Sequence, residues 1–130
     1  MDHRDTEAQR DSLTEKIIGA AIEVHRAIGP GLLESAYEAC LAHELKAHGL
    51  SFRRQVEVPV RYKGLELDCA YRIDMLVENS VLIELKSVES LLAIHEAQLL
   101  TYMKLLGTET GLLINFNAPV LKNGVRRMKL

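Results

Sequence analysis

The run Val81-Leu82-Ile83-Glu84-Leu85-Lys86 constrains this chain more than any other stretch. Its four aliphatic residues suit a buried strand, yet a carboxylate and an ammonium, each costly to bury, stand two residues apart within it. Side chains alternate across a strand, so Glu84 and Lys86 share one face and Val81, Ile83 and Leu85 the other. The stretch before it, "YRIDMLV", reads as a partner strand with Arg72, Asp74 and Leu76 on one face and Tyr71, Ile73, Met75 and Val77 on the opposite one. If Glu78, Asn79 and Ser80 form the turn, Asp74 lies opposite Glu84 and points to the same side. Directly opposed carboxylates repel unless a cation lies between them, and a divalent metal with oxygen preference is the natural occupant. Lys86, one step on, can hold a nucleophilic water or offset developing negative charge. A salt-bridge ladder of Asp74, Glu84, Lys86 and Arg72 on a solvated sheet face explains the same residues without any chemistry, and D-x9-E-x-K alone does not separate the two.

The rest of the chain supplies a frame for that hairpin. The first eleven residues are polar and are expected to be flexible, leaving one domain across the 130 residues. "SLTE" carries a capping box at Ser12 and Glu15, opening a helix over about 13–27 that "GPG" stops. A second helix spans about 33–47, with Leu33, Tyr37, Cys40, Leu41, Glu44 and Leu45 on its main stripe. "FRRQVEVPVRY" is one strand with Pro59 marking an edge or bulge, and "LELDCAYRIDMLV" is its returning partner. A helix follows over about 89–106, then the strand "TGLLINF" and a last edge strand in "GVRRMKL". The order is ααβββαββ.

Composition narrows the function classes. A net charge of −2 argues against tight, sequence-independent nucleic-acid binding through bulk charge. Arg53 and Arg54, Arg61 and Lys63, or Lys122, Arg126, Arg127 and Lys129 could still form a local basic patch, or equally be solvated strand ends. The two cysteines, Cys40 and Cys69, show no metal-ligand or redox spacing and suit buried free thiols in a reducing cytoplasm. No apolar run approaches a membrane span. Neither a nucleophile elbow nor a glycine-rich phosphate loop is present.

Two helical stretches add candidate groups. His95, Gln98 and Tyr102 recur at spacings of three and four, a polar stripe offset from Leu92, Leu99 and Met103 that suggests a polar cavity beside the sheet. His95 and its neighbour Glu96 could equally be exposed helix residues. In "GPGLLESAYE", Gly31, Glu34 and Tyr37 stand at G-x-x-E-x-x-Y spacing. Gly31 can open the turn, Glu34 sits where the helix dipole favours an anion, and Tyr37 lies one turn on, either acting with Glu34 or packing in the core.

Together, "GPGLLESAYE", "YRIDMLV", "VLIELKS" and "HEAQLLTYMKLLG" resemble the GxxExxY protein family of the PD-(D/E)XK nuclease superfamily, over about residues 13–128. The resemblance implies an α/β (α+β), restriction-endonuclease-like fold with a mixed central sheet flanked by helices, and Mg²⁺- or Mn²⁺-dependent hydrolysis of phosphodiester bonds. By that resemblance Asp74 and Glu84 hold the metal, with the Leu85 backbone carbonyl a further ligand, and Lys86 orients or deprotonates water. Glu34 completes the shell directly or through water. Gln98 and Tyr102 position water or phosphate, with His95 a further candidate for that work. Ile73 stands where the motif proline is usual, which removes no chemical group. The implied partner is nucleic acid, DNA first, with a homodimer or a partner subunit able to extend a groove. A non-catalytic module that keeps the fold to bind nucleic acid or protein is the alternative.

Overall fold

A computed structural model describes residues 6–68 and 71–130; Cys69, and residues 1–5 of the segment expected to be flexible, lie outside the described residues. Helix α1 spans Glu7–Ile28 and starts six residues earlier than its sequence suggests. Thr-Glu-Ala-Gln carries the same capping signature as the Ser12 box, and this one is used: Gln9 N–H donates to the Thr6 hydroxyl, and Thr6 N–H to the Gln9 side chain. Residues 7–11 belong to this helix, and Lys129 holds Glu7 and Asp11 at 3.1 and 2.8 Å. Helix α2 spans Glu34–Ala47 and buries Tyr37, Glu38, Leu41, Ala42 and Leu45. Leu33, expected on that stripe, is instead the residue before the helix and is 78% exposed. Cys40 is half-buried.

Each of the two long strands expected from the sequence is split in two. β1 (Phe52–Glu57) pairs antiparallel with β4 (Arg72–Val77), whereas β2 (Val60–Tyr62) and β3 (Leu65–Leu67) form a separate hairpin. Register gives the reason. The β1–β4 ladder ends at Glu57 opposite Arg72, and the hairpin resumes at Val60 opposite Leu67. Two residues separate the ladders along one side and four along the other, so a single ladder cannot run through. Pro59, which has no N–H to give a ladder, sits at the break.

The main sheet has the order β1-β4-β5-β6-β7, with β5 Val81–Lys86, β6 Thr110–Asn115 and β7 Val125–Lys129. Helix α3 (Ala93–Leu106) connects β5 to β6, which pair in parallel; the other ladders are antiparallel, so the sheet is mixed. One core lies between α1, α2 and the face carrying Met75, Val77, Val81, Ile83, Leu85, Leu112 and Ile114. A second lies under α3 and contains Leu76, Leu82, Leu99, Met103 and Leu113. Gly111 lets α3 lie close to β6, because a Cβ there would stand 2.7 Å from the Met103 sulfur and 3.2 Å from Leu99. This is the restriction-endonuclease-like arrangement of a mixed sheet flanked by helices.

Candidate active site

The site lies where β4 and β5 part. Their register, set by the turn at 78–80, runs Val77–Val81, Leu76–Leu82 and Met75–Ile83. Glu78 and Asn79 both take left-handed φ of 52°, and Ser80 N–H closes the turn on the Val77 carbonyl. One step further the ladder is replaced by side chains. Asp74 N–H donates to Glu84 Oε1 at 3.1 Å, and Leu85 N–H donates to Asp74 Oδ2 at 2.7 Å. Each carboxylate thus takes a backbone N–H beside the other, and the two converge as the spacing predicts.

This interruption corrects one expected placement. Strand alternation puts Ile73 on the face of Met75 and Val77, but it packs in the α3-side core while those two pack under α1 and α2. The neighbouring strand changes face at the same level: Phe52 packs on the α1/α2 side and Val56 on the α3 side, although four residues apart they should agree. Between them Gln55, whose flanking residues pair with those flanking Asp74, has φ of 51°. A non-glycine residue at such φ is uncommon within a strand.

Electrostatics mark the pair. Glu84 is 9% exposed; burial, and then the charge of Asp74, push its carboxyl up to about 8, against the Asp74 N–H and Lys86, which lower it. Burial raises Asp74 as well, with the charge of Glu38 adding to it and the Leu85 N–H opposing it. Two carboxyls so placed hold a proton between them at neutral pH unless a cation replaces it. Lys86 Nζ stands 3.9 Å from Glu84 Oε2. The strand end behind it is fixed by Phe116 N–H donating to the Lys86 carbonyl, and by buried Asn115, which takes Val88 N–H and donates to Val88 O.

The remaining predicted residues divide. The Glu34 carboxylate accepts from Ser87 N–H at 3.3 Å, one residue beyond Lys86, and is exposed. Tyr37 is fully buried, stacked on Phe116 at 4.4 Å, and its hydroxyl donates to Gly29 O and accepts from Leu32 N–H. It clasps the Gly29–Leu32 turn, where Gly31 takes φ of 105°. Tyr102 is half-buried, and burial followed by the charge of Glu84 raises its hydroxyl. With exposed Gln98 it lines a mainly apolar groove of about 340 Å³ between α3 and the β2–β3 hairpin, not a polar cavity. His95 serves the helix, its Nδ1 accepting from Leu92 N–H at 2.9 Å. Glu96 lies 3.9 Å from Arg126.

Sequence reasoning missed Glu38. It is 6% exposed and takes Arg54 Nε at 2.8 Å and Gln55 Nε2 at 2.7 Å, and the same Gln55 amide reaches Asp74 Oδ1 at 3.3 Å. A glutamate on the apolar stripe of α2 was the available signal. Four of the eight residues in the candidate basic patches sit in ion pairs: Arg54 with Glu38, Arg61 with Glu66, Arg126 with Glu96, and Lys129 with Glu7 and Asp11.

Among the described residues no group of three His, Cys, Asp or Glu side chains is close enough to hold a metal, and no helix is long and apolar enough to cross a membrane. The donor set nevertheless suits one metal class. Mg²⁺ is usually bound through one or two carboxylates, keeping several waters, and Asp74 and Glu84 are two hard-oxygen donors whose mutual repulsion a divalent cation relieves.

No curated protein and no solved structure matches the chain. A family model described as PD-(D/E)XK nuclease superfamily matches residues 11–128. The opened β4–β5 ladder with Asp74, Glu84 and Lys86 in motif order lies within that match, and the chain belongs to the PD-(D/E)XK nuclease superfamily.

Proposed function

We propose that the protein is a nuclease that hydrolyses phosphodiester bonds of DNA, or of another nucleic acid, with Mg²⁺ or Mn²⁺, and that its G-x-x-E-x-x-Y segment places it in the GxxExxY family. The observation that carries this reading is the convergence of Asp74 and Glu84 with Lys86 on Glu84. Asp74 and Glu84 would hold the metal, with the Leu85 carbonyl a further ligand. The bound metal would polarise the scissile phosphate and lower the pKa of a water. Lys86 would orient that water or take its proton, and would offset charge developing on phosphate. Glu34, held at Ser87 beyond the lysine, would complete the shell through water. Tyr102 and Gln98 would position phosphate from α3, whereas His95 is spent on capping that helix.

A cleavage assay on single- and double-stranded DNA with Mg²⁺ or Mn²⁺ tests this. Wild type cuts at least one substrate, and Lys86→Ala lowers the rate at least about a hundredfold. Well-folded wild type that cuts neither contradicts the reading. The second reading, a module that binds without cutting, draws support from the ion-paired bases and the net charge of −2. It predicts that nucleic acid or a protein partner binds with no dependence on Mg²⁺.

A further inference from the structure

The Asp74 carboxylate has two anchors, and only one of them is inherent in the β4–β5 pair. Oδ2 takes the Leu85 N–H at 2.7 Å. Oδ1 takes the side-chain amide of Gln55 at 3.3 Å, from the other side of β4. That amide is itself shared with Glu38 Oε1 at 2.7 Å, and Glu38 Oε2 is held by Arg54 Nε at 2.8 Å. A run of side-chain bonds therefore leads from β1 through α2 back to the acid on β4.

The backbone is bent to make it. Gln55 sits within β1 at φ of 51°, a conformation that side-chain-bearing residues rarely adopt, and the strand changes face there. With ordinary alternation Gln55 would face away from Arg54, which points to the α1/α2 side opposite Met75. The left-handed residue instead lets both neighbours reach Glu38. Strained backbone of this kind persists where the surroundings enforce it, often beside functional groups.

We infer that Gln55 is a positioning residue: backed by Glu38, it fixes the orientation of the Asp74 carboxylate for the metal. The inference rests on the reading of Asp74 as a metal ligand. Groups that orient a ligand in this way typically change metal affinity ten- to a hundredfold when removed. Gln55 needs no charge for this work; its amide donates to both carboxylates and separates Glu38 from Asp74.

Two variants test it, each read by Mn²⁺ calorimetry and by thermal melting of the metal-free protein. Gln55→Gly removes the amide and accepts the positive φ at no steric cost. Gln55→Met removes the amide at similar length and keeps the backbone demand. The expected result is Mn²⁺ affinity at least about tenfold weaker in both, with Gln55→Gly melting no lower than wild type. Either variant binding Mn²⁺ as tightly as wild type overturns the inference and leaves the metal site standing. A fall in melting temperature that tracks the loss of affinity in both variants also overturns it, since Gln55 would then be a structural link. Wild type that binds no Mn²⁺ overturns the metal reading, and this inference with it.

Discussion

At the scale of the residue, Glu84 is a carboxyl that burial penalises more than its partners relieve. Its carboxyl is raised to about 8 by burial and by Asp74, well above its value in an unfolded chain. The folded state therefore binds more protons than the unfolded state between about pH 4.5 and about 8. Stability of the metal-free protein then falls as pH rises through that window. A divalent cation held by the pair would displace the proton, so the stabilisation it gave would grow over the same range. Glu84→Gln removes the charge and keeps the shape. Urea unfolding of the metal-free protein at pH 8 is expected to show the variant equal to wild type or more stable by ~1 kcal/mol, with Mg²⁺ no longer raising stability. A variant that still gains stability from Mg²⁺ as wild type does would remove Glu84 from the metal site.

At the scale of the element, the sheet faces are set by α3 as much as by the strands. At Gly111 the helix side chains lie close to β6, so Gly111→Val is expected to cost about 1–3 kcal/mol by overpacking against Leu99 and Met103. Denaturant midpoints measure this, and an unchanged midpoint would show that α3 has room to move. How far such features can be read from sequence depends on their range. The meeting of Asp74, Glu84 and Lys86 was legible because a three-residue turn fixes register within thirteen residues of chain. The helices were legible from periodicity, although two successive capping signatures at Thr6 and Ser12 hid where α1 begins. The break of the long hairpin was half legible: Pro59 signals it, but the unequal spacers appear only once both ladders are in place. The change of face at Gln55 and Ile73 was not legible, because it comes from a carboxylate taking a backbone N–H across the sheet. Glu38 and Gln55 stayed hidden for the same reason, since their meeting is tertiary.

At the scale of the whole molecule, a mixed sheet lies between two helices on one face and one on the other, and the acids lie where that sheet opens. Everything proposed for the protein depends on that opening being built around a cation. The direct measurement is a crystal of the protein soaked in Mn²⁺ and examined for anomalous scattering. The account predicts a peak bonded to carboxylate oxygens of both Asp74 and Glu84, with Lys86 beside it. Full-strength data with no peak there, and Lys86 still on Glu84 as the sole neutralising charge, would contradict it.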